Sequence, residues 1–450
     1  MKRKHSIQEL KIQNGFVLVL NNESKIDAQA EAMLQALHSR SIGGIHSHLK
    51  TLEEKGAENF MEKFYVGYGH KSIGDCGSAT VFVEGISMLA AKAIQDWRLY
   101  SGQESSTRYI DFSNQVFLNP IASKEGEEIM ENWRKFYLDV QEPLKKYLKE
   151  QFPIKDGEKE KIYEKAIAAR AFDITRAFLP AGATTNIAWR MNFRQFADEL
   201  MLLRHHPLEE VRNVAEKTEK ALEEMYPNSF GHERFKMTEK YNNEWMQKEY
   251  YYKNTEITDF TLLFDHIDRE ALVEHKKQME SRPMKTELPP TIAECGVVGY
   301  EFLLDFGSYR DLQRHRAVVQ RMPLLTHDHG FEQWYLDALS GELKEKAVTF
   351  ISEQEKAIEN LEVSEEIKQY YTAMGYRVPC RVVGDLKALI YLVELRSTRF
   401  VHPTLVAQML TMIESLKELF GEDGLVIYQD DEPNRFDVRR GEQDIVEVKK

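Results

Sequence analysis

Apolar residues along this chain fall into two spacings: short unbroken runs, and stripes that recur every three or four positions. Phe16-Val17-Leu18-Val19-Leu20, closed by Asn21-Asn22, is a run of the first kind and predicts a short buried strand. Residues 25–39 take up the second spacing and predict a helix. From Ile86, the apolar positions Leu89, Ala90, Ala93, Ile94 and Trp97 line one face. Residues 86–98 are therefore expected to form an amphipathic helix with Arg98 at its end. The polar segment 101–107 then reads as a loop positioned by that helix. Further helices are predicted over 189–204, stopped near Pro207, and over 208–225.

Residues 226–232 break this pattern, and a polar stretch runs on to Thr255. The order then restarts with a predicted strand at 257–264 and a helix beginning near Asp268. We therefore expect an α+β fold of two tandem domains, each a small twisted sheet covered by long helices. Their bounds are read as 1–228 and 255–450, with a linker at 229–254. Matched details point to an internal duplication. Asp75-Cys76-Gly77 is echoed by Glu294-Cys295-Gly296, and Gln95 and Gln313 each stand three residues before an arginine, Arg98 and Arg316. The spacing from cysteine to arginine agrees between the copies to within one residue. Leu202-Leu203-Arg204 with His206-Pro207 is likewise echoed by Glu394-Leu395-Arg396 with His402-Pro403.

At 450 residues the chain is long enough for two cores, and its 42% hydrophobic and 30% charged content is ordinary for a water-soluble protein. A net charge of −13 argues against non-specific nucleic-acid binding, which needs a basic surface. It leaves room for an anionic small molecule held by a local group of arginines. The three cysteines form no CxxC pair, so a disulfide framework and a cysteine-rich zinc site are not expected, and a reducing cytoplasm fits. Met1-Lys2-Arg3-Lys4 leads into polar sequence, and no apolar run approaches the ~18 residues of a membrane span. His327-Asp328-His329 has no third ligand at a telling spacing, so no metal is expected.

Candidate chemistry concentrates in Gln103-Glu104-Ser105-Ser106-Thr107-Arg108-Tyr109. There a planar guanidinium can clamp a phosphate while hydroxyls and backbone N–H groups take the remaining oxygens. Gly69-His70-Lys71-Ser72 lies upstream. Downstream come Arg176-Ala177-Phe178-Leu179-Pro180, Met191-Asn192-Phe193-Arg194 and Arg204. In this order the segments resemble the flavin-dependent thymidylate synthases. That family carries Gly-His-x-Ser, then Arg-His-Arg followed by a serine, then Arg-x-x-Leu-Pro, then a helix ending in Leu-Arg.

The resemblance implies reductive methylation of dUMP to dTMP, with methylenetetrahydrofolate as carbon donor, FAD as cofactor and NAD(P)H as its reductant. It implies Glu104, Ser106, Arg108, Arg176 and Arg204 for dUMP, with Arg98, Ser106 and Arg204 at the reacting centre. For flavin it implies His70, Ser72, Asn192 and Arg194, joined by Arg314, His315 and Arg316 of the second half. Family members are homotetramers with sites formed between subunits, so a homodimer of tandem chains is implied. The pattern is also broken in places. Asp96-Trp97-Arg98 stands for Arg-His-Arg in the first half, and a carboxylate there repels a diphosphate. One extra residue separates Asn192 from Arg204. The second half keeps a literal Arg314-His315-Arg316 but has Leu324 at the serine position and Pro289-Pro290 in place of Gly-His-x-Ser. Two alternatives stay open: a related flavoenzyme acting on another pyrimidine nucleotide, and a catalytically inactive nucleotide- or flavin-binding paralogue.

Overall fold

The computed structural model describes residues 5–22, 26–40, 44–67, 69–107, 110–433 and 436–439. The chain divides into two compact units, one made of Met1–Leu118 and Ala183–Tyr250, the other of Asn119–Gly182 and Tyr251–Lys450.

The first unit is built on five strands, β1 (His5–Lys11), β2 (Phe16–Asn22), β3 (Ser78–Ser87), β4 (Ser101–Glu104) and β5 (Thr184–Asn192). They form one sheet in the order β1-β2-β3-β5-β4, with every pairing antiparallel. Period-two alternation explains β5: Ile187, Trp189 and Met191 face the core while Arg190 is exposed. Residues 189–192, expected as helix, are therefore strand. The side chain of Asn192 then accepts a hydrogen bond from Gln195 N (2.8 Å) and caps the helix Phe193–Leu203. Ser87 does the same for Met88–Gln95, accepting from Ala90 N at 3.0 Å. The predicted 86–98 helix thus starts later, and Arg98 lies in the turn beyond it. Residues Ser101–Glu104, expected as loop, form an edge strand on β5. Gly85, at φ +73, makes the bulge of β3, where any Cβ would run into Asn14 O.

Glu209–Met225, predicted to within one residue, packs across β1 and β2. The stretch expected as a linker is largely helical. Lys236–Glu249 packs on Phe193–Leu203 and belongs to the first unit.

The second unit carries β6 (Tyr251–Tyr252), β7 (Phe260–Asp265), β8 (Val298–Asp305), β9 (Val319–Gln320), β10 (Met322–Pro323) and β11 (Arg377–Gly384). β6 and β10 pair in parallel, and the other four form an antiparallel sheet in the order β7-β8-β11-β9. By chain position this is the order β2-β3-β5-β4 of the first sheet. Carboxylates cap the helices that follow: Asp305 accepts from Ser308 N (2.9 Å) at Phe306–Leu312, and Asp385 from Ala388 N (2.9 Å) at Leu386–Arg396. β8 is buried along its whole length, which requires cover on both faces.

Residues 119–182 belong to this second unit rather than to the first domain expected from sequence. The helices Lys124–Gln151 and Glu160–Thr175 pack on each other, and the reason for their membership is aromatic. Trp133 donates its indole N–H to Tyr371 O (2.9 Å), and Phe136 stacks on Phe350 with centroids 4.3 Å apart. Rings of this size lose about 3–5 kcal/mol on truncation to alanine, enough to fix which core a helix joins. Among the described residues no helix is long and apolar enough to cross a membrane.

Candidate functional site

In the first unit the Gly-His-x-Ser segment leads into the short helix Lys71–Gly74, packed against Phe193–Leu203. Asp75 ties the two together. Its Oδ1 accepts from Asn192 Nδ2 (3.1 Å) and from Arg194 Nε (2.7 Å), and Lys71 reaches Asp198 at 3.4 Å. The structure therefore gathers Asn192 and Arg194 around one carboxylate, which follows Ser72 at the end of the short helix. His70 stands at the N-cap of the short helix and lines a cavity of about 740 Å³ with Met33, Leu37, Phe60 and Phe64. The wall beside it, Met61–Gly67, is π-helical, a distortion found often at functional sites.

The hydroxyl-rich segment begins in β4, an edge strand of this sheet. Glu104 is locked inside the unit: its Oε2 accepts from Lys92 Nζ (2.6 Å) and Gln95 Nε2 (3.0 Å), and both charged side chains are essentially unexposed. Ser106 and Arg98 are exposed. Arg108 lies outside the described residues. Arg204, at the end of Phe193–Leu203, is clamped by Glu239, accepted at Oε2 at 2.9 Å and again at Oε1, and reaches Glu219 at 3.4 Å. Glu239 comes from the helix inside the expected linker. Its carboxyl is held below the usual range, first by hydrogen bonding to Arg204.

Sequence reasoning missed Glu199 on the same helix. Both of its carboxyl oxygens are buried with no hydrogen-bond partner among the described residues. Burial, and then the charge of Asp96, pushes it well above the usual carboxylate range. An acidic residue on an otherwise apolar helix face was the available signal.

Arg176 belongs to the second unit. Its Nη2 donates to Ser308 Oγ (3.2 Å), while its Nε is buried with no hydrogen-bond partner. Arg314-His315-Arg316 sits in the turn after Phe306–Leu312. His315 is turned inward and its Nε2 accepts from Arg396 Nε at 2.7 Å, which leaves the ring proton on Nδ1. Burial, and then Arg396, holds its pKa down at about 3. Arg314 is exposed and bridges to Asp311 at 3.4 Å. Asp311 is the centre of a cationic group. Burial would raise its pKa, but Arg314, Arg176, Arg396 and Arg310 together lower it. Two of these, Arg310 and Arg396, were not among the sequence-derived site residues, although Arg396 had been matched to Arg204.

This donor set fits a doubly charged anion. Arg314, Arg176, Arg396 and Arg310 all lie close enough to Asp311 to lower its pKa, Asp173 and Asp305 also act on Arg176, and the buried Nε of Arg176 lacks an acceptor, so a diphosphate would find a guanidinium donor here. In the first unit, Lys92 and Arg204 each face a carboxylate instead.

Comparison with known proteins gives residues 19–228 as a match to the family described as Thymidylate synthase complementing protein. A UPF0159 protein of Chlamydia pneumoniae is 25% identical over 398 residues, covering 76% of this chain and 75% of that protein. A flavin-dependent thymidylate synthase of Clostridium tetani is 27% identical over 198 residues, covering 42% of this chain and 74% of that protein. Among solved structures, a UMP/dUMP methylase from Streptomyces cacaoi bound with 5-Br dUMP matches at 15% identity and a TM-score of 0.31, covering 50% of this chain and 93% of that one.

Proposed function

We propose that this chain, whose residues 19–228 match the family described as Thymidylate synthase complementing protein, is a flavin-dependent methylase of a pyrimidine nucleotide, with dUMP as substrate and dTMP as product. Methylenetetrahydrofolate and NAD(P)H are its co-substrates, and FAD, when bound, carries reducing equivalents to the nucleotide. The observation that carries this reading is the cationic group around Asp311, on a chain whose first half matches that family.

Arg176, Arg310, Arg314 and Arg396 would hold the cofactor diphosphate, and His315 would orient Arg396 through its neutral Nε2. Ser106 and Arg98, both exposed, would meet nucleotide oxygens, with Arg108 as the phosphate clamp. Ser72, Asn192 and Arg194 would present their polar groups from the surface ordered by Asp75. Glu104 and Arg204 have the weaker claim to ligand, since each already faces an opposite charge. That same pairing favours the second reading, an inactive paralogue that binds nucleotide or flavin without turnover.

We read the two units as a tandem duplication with diverged halves, supported by the common strand order and by the cap that opens the helix after each matching strand. A homodimer of such chains would supply the four copies of the family's tetramer. A reducing cytoplasm suits three cysteines that form no disulfide.

The test is the absorption spectrum of purified protein with added FAD, beside dUMP affinity by calorimetry. Removing Arg314 and Arg396 together should release flavin and leave dUMP binding within about twofold, a change of ~0.4 kcal/mol. Flavin retained by that variant defeats the placement. No flavin in the wild type defeats the flavoenzyme.

A further inference from the structure

The second unit contains a cavity of about 620 Å³ that the reading above does not use. Its size is that of a small-molecule site. Three walls enclose it: the segment from Arg282 to Leu288, one face of the helix Leu386–Arg396, and the segment from Tyr428 to Asp431. Arg282 fastens all three. Its guanidinium pairs with Glu394 on the helix, with Oε2 at 3.1 Å, and donates to Thr286 O and Val426 O, each at 2.7 Å. Tyr428 returns the contact by donating its hydroxyl to Arg282 O (2.6 Å) and its backbone N–H to Glu394 Oε1 (2.9 Å). The site is thus rigid before any ligand arrives, which lowers the ordering cost of binding.

Its charges are matched with two exceptions. Arg282 faces Glu394, Lys387 faces Glu287, and Arg399 faces Asp430. Lys285 and Asp431 line the same cavity on different walls, and neither makes an ion pair among the described residues. Lys285 also holds a left-handed backbone, at φ +63, which is costly for a residue with a side chain. Between these two charges the lining is apolar and aromatic. Leu288, Ile390 and Leu395 contribute aliphatic surface, and Tyr391, nearly half exposed, offers a ring and a hydroxyl.

We propose that this cavity binds a small aromatic ring with an anionic tail and a hydrogen-bond-donating group on the ring. The tail goes to Lys285, the donor to Asp431, and the ring lies on Tyr391 and the aliphatic wall. Carboxylate and phosphate tails share this chemistry, and two probes separate them: p-aminobenzoyl-glutamate and dCMP. Each is titrated into the full-length protein by calorimetry with and without excess dUMP, so that a probe drawn to the nucleotide site proposed above is told apart from one bound in this cavity.

The expected result is one-to-one binding of at least one probe below about 1 mM, an affinity of ~4 kcal/mol. Lys285→Glu should weaken it by about tenfold or more, and Leu395→Trp, which fills the cavity, should abolish it. Both positions are exposed, so neither carries the fold, and Lys285→Glu alone keeps the test valid if the tryptophan variant is poorly soluble. Failure of both probes to bind overturns the proposal. So does binding that both variants leave unchanged, or that dUMP competes away.

Discussion

Replacing Lys92 by Met tests whether Glu104 is a ligand or a counter-charge. Lys92 and Glu104 are sealed from water, with side-chain exposures of 0% and 2% and an Nζ–Oε2 distance of 2.6 Å. Two opposite charges so close attract by on the order of 6 kcal/mol at an effective dielectric of ~20. Burial costs several kcal/mol per ion, so the pair as a whole contributes little net stability. Removing one partner leaves the other's desolvation uncompensated, although Gln95 still donates to Oε2. Lys92→Met should therefore destabilise the first unit by about 3–5 kcal/mol. The double variant Lys92→Met/Glu104→Leu should recover most of the loss, since an apolar pair of similar volume removes both penalties. Urea unfolding followed by tryptophan fluorescence measures the change, and hydrogen exchange at β4 and β5 locates it. A loss below about 1 kcal/mol for the single variant, or a double variant no more stable than the single, would refute the buried-pair argument. If dUMP affinity survives in the double variant, Glu104 is a structural counter-charge and leaves the list of ligand residues.

His206 and His315 are both buried and held near a pKa of about 3, well under the free imidazole value. Because the unfolded state binds their protons first, their contribution is full above about pH 6.5 and is lost as pH falls from there toward 3. Replacing both by Asn should flatten that limb of a stability-against-pH curve, and an unchanged acid limb would count against it. Glu199→Met removes a buried carboxyl without a partner and should stabilise the protein by about 1–3 kcal/mol in urea unfolding. A loss of stability would mean that the carboxyl has an unseen donor, such as an ordered water. Asp305 accepts from Tyr335 OH (2.7 Å), Ser308 N (2.9 Å) and Thr404 Oγ1 (2.5 Å), so Asp305→Ala should cost about 3 kcal/mol or more. Asp268→Ala, an exposed cap, should cost nearer 1 kcal/mol.

The helix Glu209–Met225 was legible because its apolar stripe is long and nothing competes with it. The two helix starts at Met88 and Phe193 were misplaced because Ile86 and Trp189 satisfy a helical and a strand period at once. Ser87 and Asn192 are the residue types that cap helices and marked the true boundaries. Other features were out of reach. Lys92 lies on a helix face and Glu104 on an edge strand, and no spacing rule pairs them. The assignment of Lys124–Gln151 to the second unit rests on Trp133 and Phe136 meeting Tyr371 and Phe350, more than two hundred residues away. The family motifs located the polar segments. They could not foresee that Arg204 would meet Glu239, which lies in a stretch that looked like a spacer.

On the proposed duplication, Arg204 and Arg396 hold corresponding places at the ends of corresponding helices, and their surroundings have diverged in sign. Arg204 faces two carboxylates, Glu239 and Glu219, and its charge is cancelled within the first unit. Arg396 faces a histidine that stays neutral, and burial lowers its own pKa, with Asp311 offsetting part of that and Arg314 adding to it. A cation destabilised in this way gains from any anion that approaches it, whereas one already clamped gains little and must first break its pair. Anion binding is therefore expected to favour the half in which the family's sequence pattern is more worn. Preserved motif residues are thus a poor guide here to where charge is left over. Introducing a carboxylate opposite Arg396, as in His315→Glu, should raise the stability of the second unit and lower its affinity for pyrophosphate, measured by calorimetry. Pyrophosphate binding that persists in that variant but vanishes in Arg204→Ala would move the anion site back to the first unit.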